Sequence, residues 1–277
     1  MLTRGMDQYI REMAVDPAIC TPSPCAPESC VSTSCAPAPP RAGTRRQLPY
    51  PFNLKAVRAL MEKGAVSFHP NVTFLVGENG SGKSTLVEAL AVASGFNPEG
   101  GTRNFNFHTA ETHSDLHRHL RITRGVRAPR DGFFLRAESF YNLATNIDDL
   151  DRETAALPPL IQSYGGQSLH RQSHGESFMA LLLNRLGGRG LYLFDEPEAA
   201  LSPMRQMSMI SRMHELVQAD SQFIIATHSP ILMAYPHATI LSLDDDLRPV
   251  PYQETDHYRI TKSFLDKPER MLRELMT

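Results

Sequence analysis

Residues Gly77 to Ser84 read Gly-Glu-Asn-Gly-Ser-Gly-Lys-Ser, a complete match to G-x-x-x-x-G-K-[ST]. The chemistry of that spacing is capture of a polyphosphate. Glycines let successive backbone N–H groups approach the β- and γ-phosphates, a lysine adds positive charge there, and the next hydroxyl is a ligand for Mg²⁺. Gly77, Glu78, Asn79, Gly80, Ser81, Gly82, Lys83, Ser84 and Thr85 are therefore the candidate nucleotide-binding residues, and Ser84 is also a candidate metal ligand. A second constellation ends the segment LYLFDE, Leu191 to Glu196, in which four apolar residues precede two adjacent carboxylates. Downstream of a phosphate loop, Asp195 is placed to hold Mg²⁺ directly or through water. Glu196 is placed to polarise an attacking water as general base.

These side chains need a strand before the loop, a helix after it, and a buried strand behind the carboxylates. NVTFLV at Asn71 to Val76 is a β-rich run that ends at a glycine, and KSTLVEALAVASG carries Leu86, Leu90 and Val92 at helical spacing before Gly95. GFFLRA, GLYLF, SQFIIAT and TILSL read as further strands, ESFMALLLNRL and the stretch from Pro203 to about Ala219 as helices, and Ile260 to Met276 as one or two more. FNLKAVRAL from Phe52, AVSF from Ala65 and LHRHLRIT from Leu116 alternate as half-buried strands do. The predicted fold is α/β, a mainly parallel sheet flanked by helices, with the early strands forming an N-terminal antiparallel sub-sheet.

The chain has 277 residues, with 28 lysines and arginines against 30 acidic residues, so its composition carries no polybasic signal for nucleic acid or membrane. No apolar run approaches the roughly 18 residues that span a bilayer, and no cleavable signal segment opens the chain, so the expected location is cytoplasmic. The four cysteines fall at Cys20, Cys25, Cys30 and Cys35, and eight of the 21 prolines precede Tyr50. Such a segment has almost no large apolar side chains to offset the entropy of ordering. The expected organisation is a disordered Pro/Cys-rich leader over 1–47 and one catalytic domain over 48–277. A low-complexity tail and a metal or redox site are the two readings of the cysteines, and the spacing favours the tail.

With these motifs in view, Asp195-Glu196-Pro197-Glu198-Ala199-Ala200-Leu201-Ser202 resembles the Walker B and D-loop segment of ABC-type ATPases, and Thr227-His228-Ser229-Pro230 resembles their switch-histidine segment. Gln172-Ser173-His174-Gly175-Glu176-Ser177 lies where that family carries its signature, with His174 replacing the first glycine. The order Walker A, signature, Walker B, switch histidine is kept. The Ser-x-Gly-Glu and Asp-Glu-Pro-Glu-Ala forms resemble the small predicted ATPases near the repair and overcoming-lysogenization branch more than they resemble transporters. The resemblance implies a P-loop NTPase fold of ABC type and Mg-ATP as the ligand. It also implies a homodimer in which Ser173 and Gly175 face a nucleotide held by the partner, with His228 and Lys83 joining Glu196 in catalysis. The family's glutamine between Walker A and signature is missing, since no glutamine occurs from Leu86 to Ile161, and Glu138 is the substitute metal ligand.

Several features stay open at this level. Tyr50 and Phe52 are either adenine-stacking aromatics or strand residues. His108, His113, His117 and His119 read as solvated histidines rather than a metal site, and Met204, Met207, Ile210 and Met213 as a core or dimer-facing stripe. Asp244 to Asp246 is a turn or a functional acidic cluster. Three uses of the ATP site remain: hydrolysis in a stand-alone ATPase with an unidentified protein or DNA partner, an ATP-dependent dimerisation switch, and the ATPase subunit of a transporter. The Asn-Lys-x-Asp guanine motif is absent, which disfavours GTP.

Overall fold

The computed structural model describes residues 8–16, 48–103, 114–153 and 159–277. The four cysteines, His108 and His113 lie outside the described residues, as does most of the expected leader. In chain order the strands are β1 (Ile10–Val15), β2 (Val66–Ser67), β3 (Val72–Val76), β4 (Leu120–Arg124), β5 (Asp131–Arg136), β6 (Gly190–Asp195), β7 (Gln222–Ala226), β8 (Thr239–Ser242) and β9 (Arg248–Pro249). The helices are α1 (Lys55–Lys63), α2 (Lys83–Ala93), α3 (Phe140–Glu153), α4 (His174–Ala180), α5 (Pro203–Gln218), α6 (Pro230–Met233), α7 (Asp256–Asp266) and α8 (Pro268–Leu275).

Strands buried on both faces read as continuous apolar runs, and this is what VTFLV, GLYLFD and QFIIA do. They form a six-stranded sheet in the order β5-β6-β7-β3-β8-β9, parallel throughout except for β9, which pairs antiparallel with β8. Successive side chains point to opposite faces, so Tyr192 and Phe194 of β6 join the layer containing Leu143, Phe178 and Met213, while Leu191 and Leu193 join the layer containing Leu60, Leu86 and Leu90. Each fully buried aromatic or aliphatic side chain contributes about 1.5–3 kcal/mol to this two-layer core. The carboxyl ends of the five parallel strands open on one edge, where the loop from Gly77 to Thr85, Asp195-Glu196 and His228 lie.

The structure departs from the sequence reading in three places. The segment after Phe52 is helix α1, not a strand. Its buried residues Ala56, Val57, Ala59 and Leu60 make a helical face, and Gly64 stops it at φ +82° with its N–H donating to Leu60 O. The first part of LHRHLRIT, Asp115–His119, is a 3-10 turn, and only Leu120–Arg124 extends.

The third departure corrects the expected boundary at residue 48. Ile10–Val15, inside the expected leader, is the central strand of an antiparallel sheet ordered β2-β1-β4, with Met13 opposite Val66 and Ile122. Burial drives this, since Ile10, Met13 and Val15 all enter the core. Gln222 secures it. That side chain is fully buried; its Oε1 accepts from the N–H groups of Tyr9 (3.0 Å) and Ile10 (2.9 Å), and its Nε2 donates to Ile10 O (2.8 Å) and His69 O (3.0 Å). The antiparallel sub-sheet exists as expected, but β1 takes the place assigned to the Phe52 segment.

Candidate functional site

The phosphate loop joins β3 to α2. Gly80 and Gly82 have φ of +77° and +99°, a region that L side chains enter at a cost, and a Cβ on Gly82 would lie 3.3 Å from both Leu54 Cβ and Ala56 Cβ. Lys83 is buried, and its Nζ donates to Gly77 O and Glu78 O, both at 2.9 Å, which closes the loop around its own ammonium. Burial lowers the Lys83 pKa, opposed by the carboxylates of Glu196, Asp195, Asp244 and Glu198. Asp244 supports the loop from the end of β8. Its Oδ2 accepts the Glu78 N–H at 2.9 Å and its Oδ1 meets Lys55 Nζ at 3.0 Å. Of the acidic run, then, Asp244 braces the phosphate loop, while Asp245 accepts a bond from the Ser242 hydroxyl within the turn.

Beside the loop, β6 delivers Asp195 to a nearly dry position. The carboxylate is 5% exposed and its Oδ1 has no hydrogen-bond partner. Burial pushes its pKa up to about 7, against the stabilising hydroxyl of Ser84 and the guanidinium of Arg136, whose Nε lies 3.9 Å from Oδ2; the nearby Glu196 and Glu138 push it further up. A buried carboxylate oxygen with no partner, next to a serine hydroxyl, is a donor set of the hard-oxygen kind that suits Mg²⁺. Ser84, Glu138, Asp195 and Glu196 all line one cavity of about 230 Å³, so the residues present fit the metal. Glu138 stands at its rim, exposed and 3.3 Å from Arg136.

Glu196 follows in the left-handed region, at φ +49° and ψ +52°. This conformation turns the side chain toward His228, whose Nε2 lies 3.6 Å from Glu196 Oε1. His228 leaves the end of β7. Its N–H donates to Glu198 Oε1 at 2.5 Å, its Nδ1 is 2.8 Å from Nε2 of His257, and its Nε2 is buried with no hydrogen-bond partner. Its pKa is lowered, first by burial and then by Lys83 and His257, with Glu196 and Asp244 opposing.

The structure therefore brings Lys83, Ser84, Asp195, Glu196 and His228 to one edge. The segment likened to a signature starts α4, where Ser173 is the cap. Its N–H and hydroxyl both donate to Glu176 Oε2, at 3.0 and 2.6 Å, so the Glu176 carboxylate closes the start of the helix. Ser173 and His174 are exposed, and Gly175 is buried where a Cβ would come within 2.1 Å of Arg205 and 3.0 Å of Ala200 O. His174 borders the 230 Å³ cavity, whereas Ser173 and Gly175 do not line it.

Other candidates divide. Phe52 is in the core and meets His119 edge-on at 5.4 Å, so a base cannot stack on it, while Tyr50 is exposed. His117 bonds Ser114 O, and it joins no group of three His, Cys, Asp or Glu side chains among the described residues. The methionine stripe splits, with Met204 and Met207 exposed and Met213 buried. Sequence reasoning missed Arg136 and His257 and left Asp244 open between a turn and a functional acidic cluster. An arginine closing an apolar strand, as in GFFLR, is a usable signal for the first; the role of Asp244 and of His257 comes from contacts made across the fold.

Two family models match the chain, one for an AAA domain over 53–133 and one for an AAA ATPase domain over 177–233. No curated protein matches it. Solved structures similar to it include an ABC transporter described as of metal-chelate type in an inward-facing conformation, 18% identical, covering 70% of this chain and 79% of its own, TM-score 0.41. A nucleotide-free ATP-binding cassette from an ABC transporter is 16% identical, covering 64% and 79%, TM-score 0.33. The SMC head domain from Thermotoga maritima is 18% identical, covering 64% and 88%, TM-score 0.31. The two matched segments carry the loop from Gly77 to Thr85 and the Asp195-Glu196 and His228 ends of their strands, and both models describe AAA-type domains; the fold itself is α/β, with a mainly parallel sheet and an antiparallel sub-sheet. No described helix is long and apolar enough to cross a membrane.

Proposed function

We propose that the protein binds Mg-ATP and hydrolyses it, working as a pair of identical chains that enclose two nucleotides. The observation that carries this reading is the convergence of Lys83, Ser84, Asp195, Glu196 and His228 at the carboxyl ends of adjacent strands, around a buried carboxylate oxygen with no partner. The loop from Gly77 to Thr85 holds the phosphates through its amides. Lys83 exchanges its two carbonyl partners for phosphate oxygens, trading neutral acceptors for charged ones, and charge-assisted bonds are about twice as strong. Ser84 and Asp195, with Glu138 at the rim, would hold Mg²⁺, which would supply charge stabilisation on the phosphate oxygens.

Glu196 takes a proton from the attacking water, and its proximity to His228 Nε2 places an N–H donor beside the γ-phosphate. Catalysis of this kind is positioning and electrostatic stabilisation, so all five side chains act as a unit. Ser173 and Gly175 complete the site of the second chain; the exposure of Ser173 and His174 at the start of α4 supports that role. A DNA-linked role rests on the resemblance alone, and ATPase rates with and without DNA test it.

Purified Glu196→Gln protein is the direct test. It keeps ATP binding, loses turnover, and accumulates as an ATP-bound dimer by light scattering, while Lys83→Ala loses nucleotide affinity by calorimetry. Wild-type hydrolysis by Glu196→Gln removes Glu196 as the base. A strictly monomeric Glu196→Gln protein at high concentration with Mg-ATP refutes the pairing.

A further inference from the structure

We infer that His257, in the first turn of α7, is a positioning residue that fixes the tautomer of His228 with the proton on Nε2, facing the nucleotide. The inference rests on the role given above to His228 and names the group that keeps it ready. Nδ1 of His228 and Nε2 of His257 are 2.8 Å apart, with ring centroids 5.0 Å apart. Between two neutral imidazoles at that distance, one nitrogen donates and the other accepts. The far side of His228 sets the direction. Its Nε2 is buried, has no hydrogen-bond partner, and lies 3.6 Å from Glu196 Oε1. A carboxylate favours an N–H there and disfavours a lone pair. A neutral imidazole carries one N–H, so with Nε2 protonated Nδ1 accepts, and His257 Nε2 is the donor.

Both rings are held in the neutral form that this arrangement needs, since burial is the largest influence lowering each pKa and Lys83 is the next. Glu196 and Asp244 oppose it at His228, and Asp256 and Asp244 at His257. Without His257, the His228 proton is free to settle on Nδ1. Nε2 then presents a lone pair to Glu196 and to any phosphate oxygen, so the donor that the reaction needs is lost.

The surrounding structure is built to hold His257 in place. Tyr252 OH donates to Pro230 O at 2.8 Å, two residues beyond His228, and the Tyr252 ring packs on Tyr258 at 4.7 Å. Buried Thr255 caps α7, its hydroxyl donating to Tyr252 O at 2.8 Å and accepting the Tyr258 N–H at 3.4 Å. The start of α7 is thus fastened to the same loop that carries His228, and His257 follows it into register.

The test is ¹H–¹⁵N long-range NMR of ¹⁵N-histidine-labelled full chain without nucleotide, combined with steady-state kinetics. In the wild type, His228 shows a pyrrole-type Nε2 and a pyridine-type Nδ1. In His257→Phe that pattern is lost or reversed, whereas His257→Gln, whose amide N–H₂ still donates, keeps it. His257→Phe lowers kcat about tenfold or more with KM for ATP changed less than about twofold, and His257→Gln recovers most of the rate. A protonated Nδ1 on His228 in the wild type overturns the inference even if the phenylalanine variant does not fold, and so does an unchanged His228 pattern in a folded His257→Phe. If the wild type turns over no ATP while the NMR patterns follow, the hydrolytic reading fails and the positioning role stands.

Discussion

Replacing Asp195 by asparagine should stabilise the protein when metal and nucleotide are withheld, although it removes a residue proposed to be essential for function. The Asp195 carboxylate is 5% exposed, and its pKa stands at about 7 instead of 3.8, chiefly through burial. That displacement corresponds to about 4 kcal/mol of penalty on the charged form above pH 7. Asparagine is nearly isosteric and still offers a carbonyl oxygen to Ser84, but its amide group takes the place of an oxygen that has no partner. An unsatisfied buried donor costs about 1–3 kcal/mol, which leaves a net gain of about 1–3 kcal/mol.

The sign with pH follows from linkage. Native Asp195 holds its proton up to about pH 7, whereas the unfolded chain releases it near 3.8. The wild type therefore loses stability as pH rises between those values, and the whole penalty is present above about 7. Between pH 8 and pH 5.5 the advantage of Asp195→Asn narrows by about 2 kcal/mol. Urea unfolding in EDTA at the two pH values measures both quantities, and a thermal midpoint about 3–8 °C higher for the variant at pH 8 is the corresponding calorimetric result. Addition of Mg-ATP reverses the order, because ligand linkage stabilises only the chain that binds it. An Asp195→Asn protein no more stable than wild type at pH 8, or an advantage that ignores pH, refutes the account of Asp195 as a buried charge awaiting a cation.

Two further expectations concern the scaffold. Gln222→Met removes three bonds to the backbone of Tyr9 and Ile10 at the start of β1 and a fourth to His69 O, and takes the side-chain acceptor from the Ile10 N–H, a loss of about 3 kcal/mol or more by urea unfolding. Early hydrogen exchange at Ile10 to Val15 accompanies it. Gly82→Ala forces a left-handed alanine against Leu54 and Ala56, costs about 1–2 kcal/mol in stability, and weakens ATP binding by calorimetry because the loop shifts.

The phosphate loop, β3, α2 and the acidic end of β6 were legible because their signals are local: glycine spacing, a buried apolar run, and carboxylates at its end. The Phe52 segment was misread because Phe52, Leu54 and Ala56 alternate with polar residues, whereas Val57, Ala59 and Leu60 break that alternation and complete a helical face. β1 was missed for a different reason. Its partners are Val66 and Leu120, more than 50 residues away, and the proline- and cysteine-rich stretch that follows it dominates any window drawn around it. Within the site, Glu138 and Asp195 follow from order along the chain. Asp244 bracing Glu78, and His257 meeting His228, come from tertiary closure between segments that carry no pattern of their own.

The seating of β1 also gives Gln222 a reach beyond its own strand. Because β1 lies between β2 and β4, and Gln222 of β7 bonds the backbone of Tyr9 and Ile10 at its start, a change at this one buried amide acts on the whole small sheet and not only on β7.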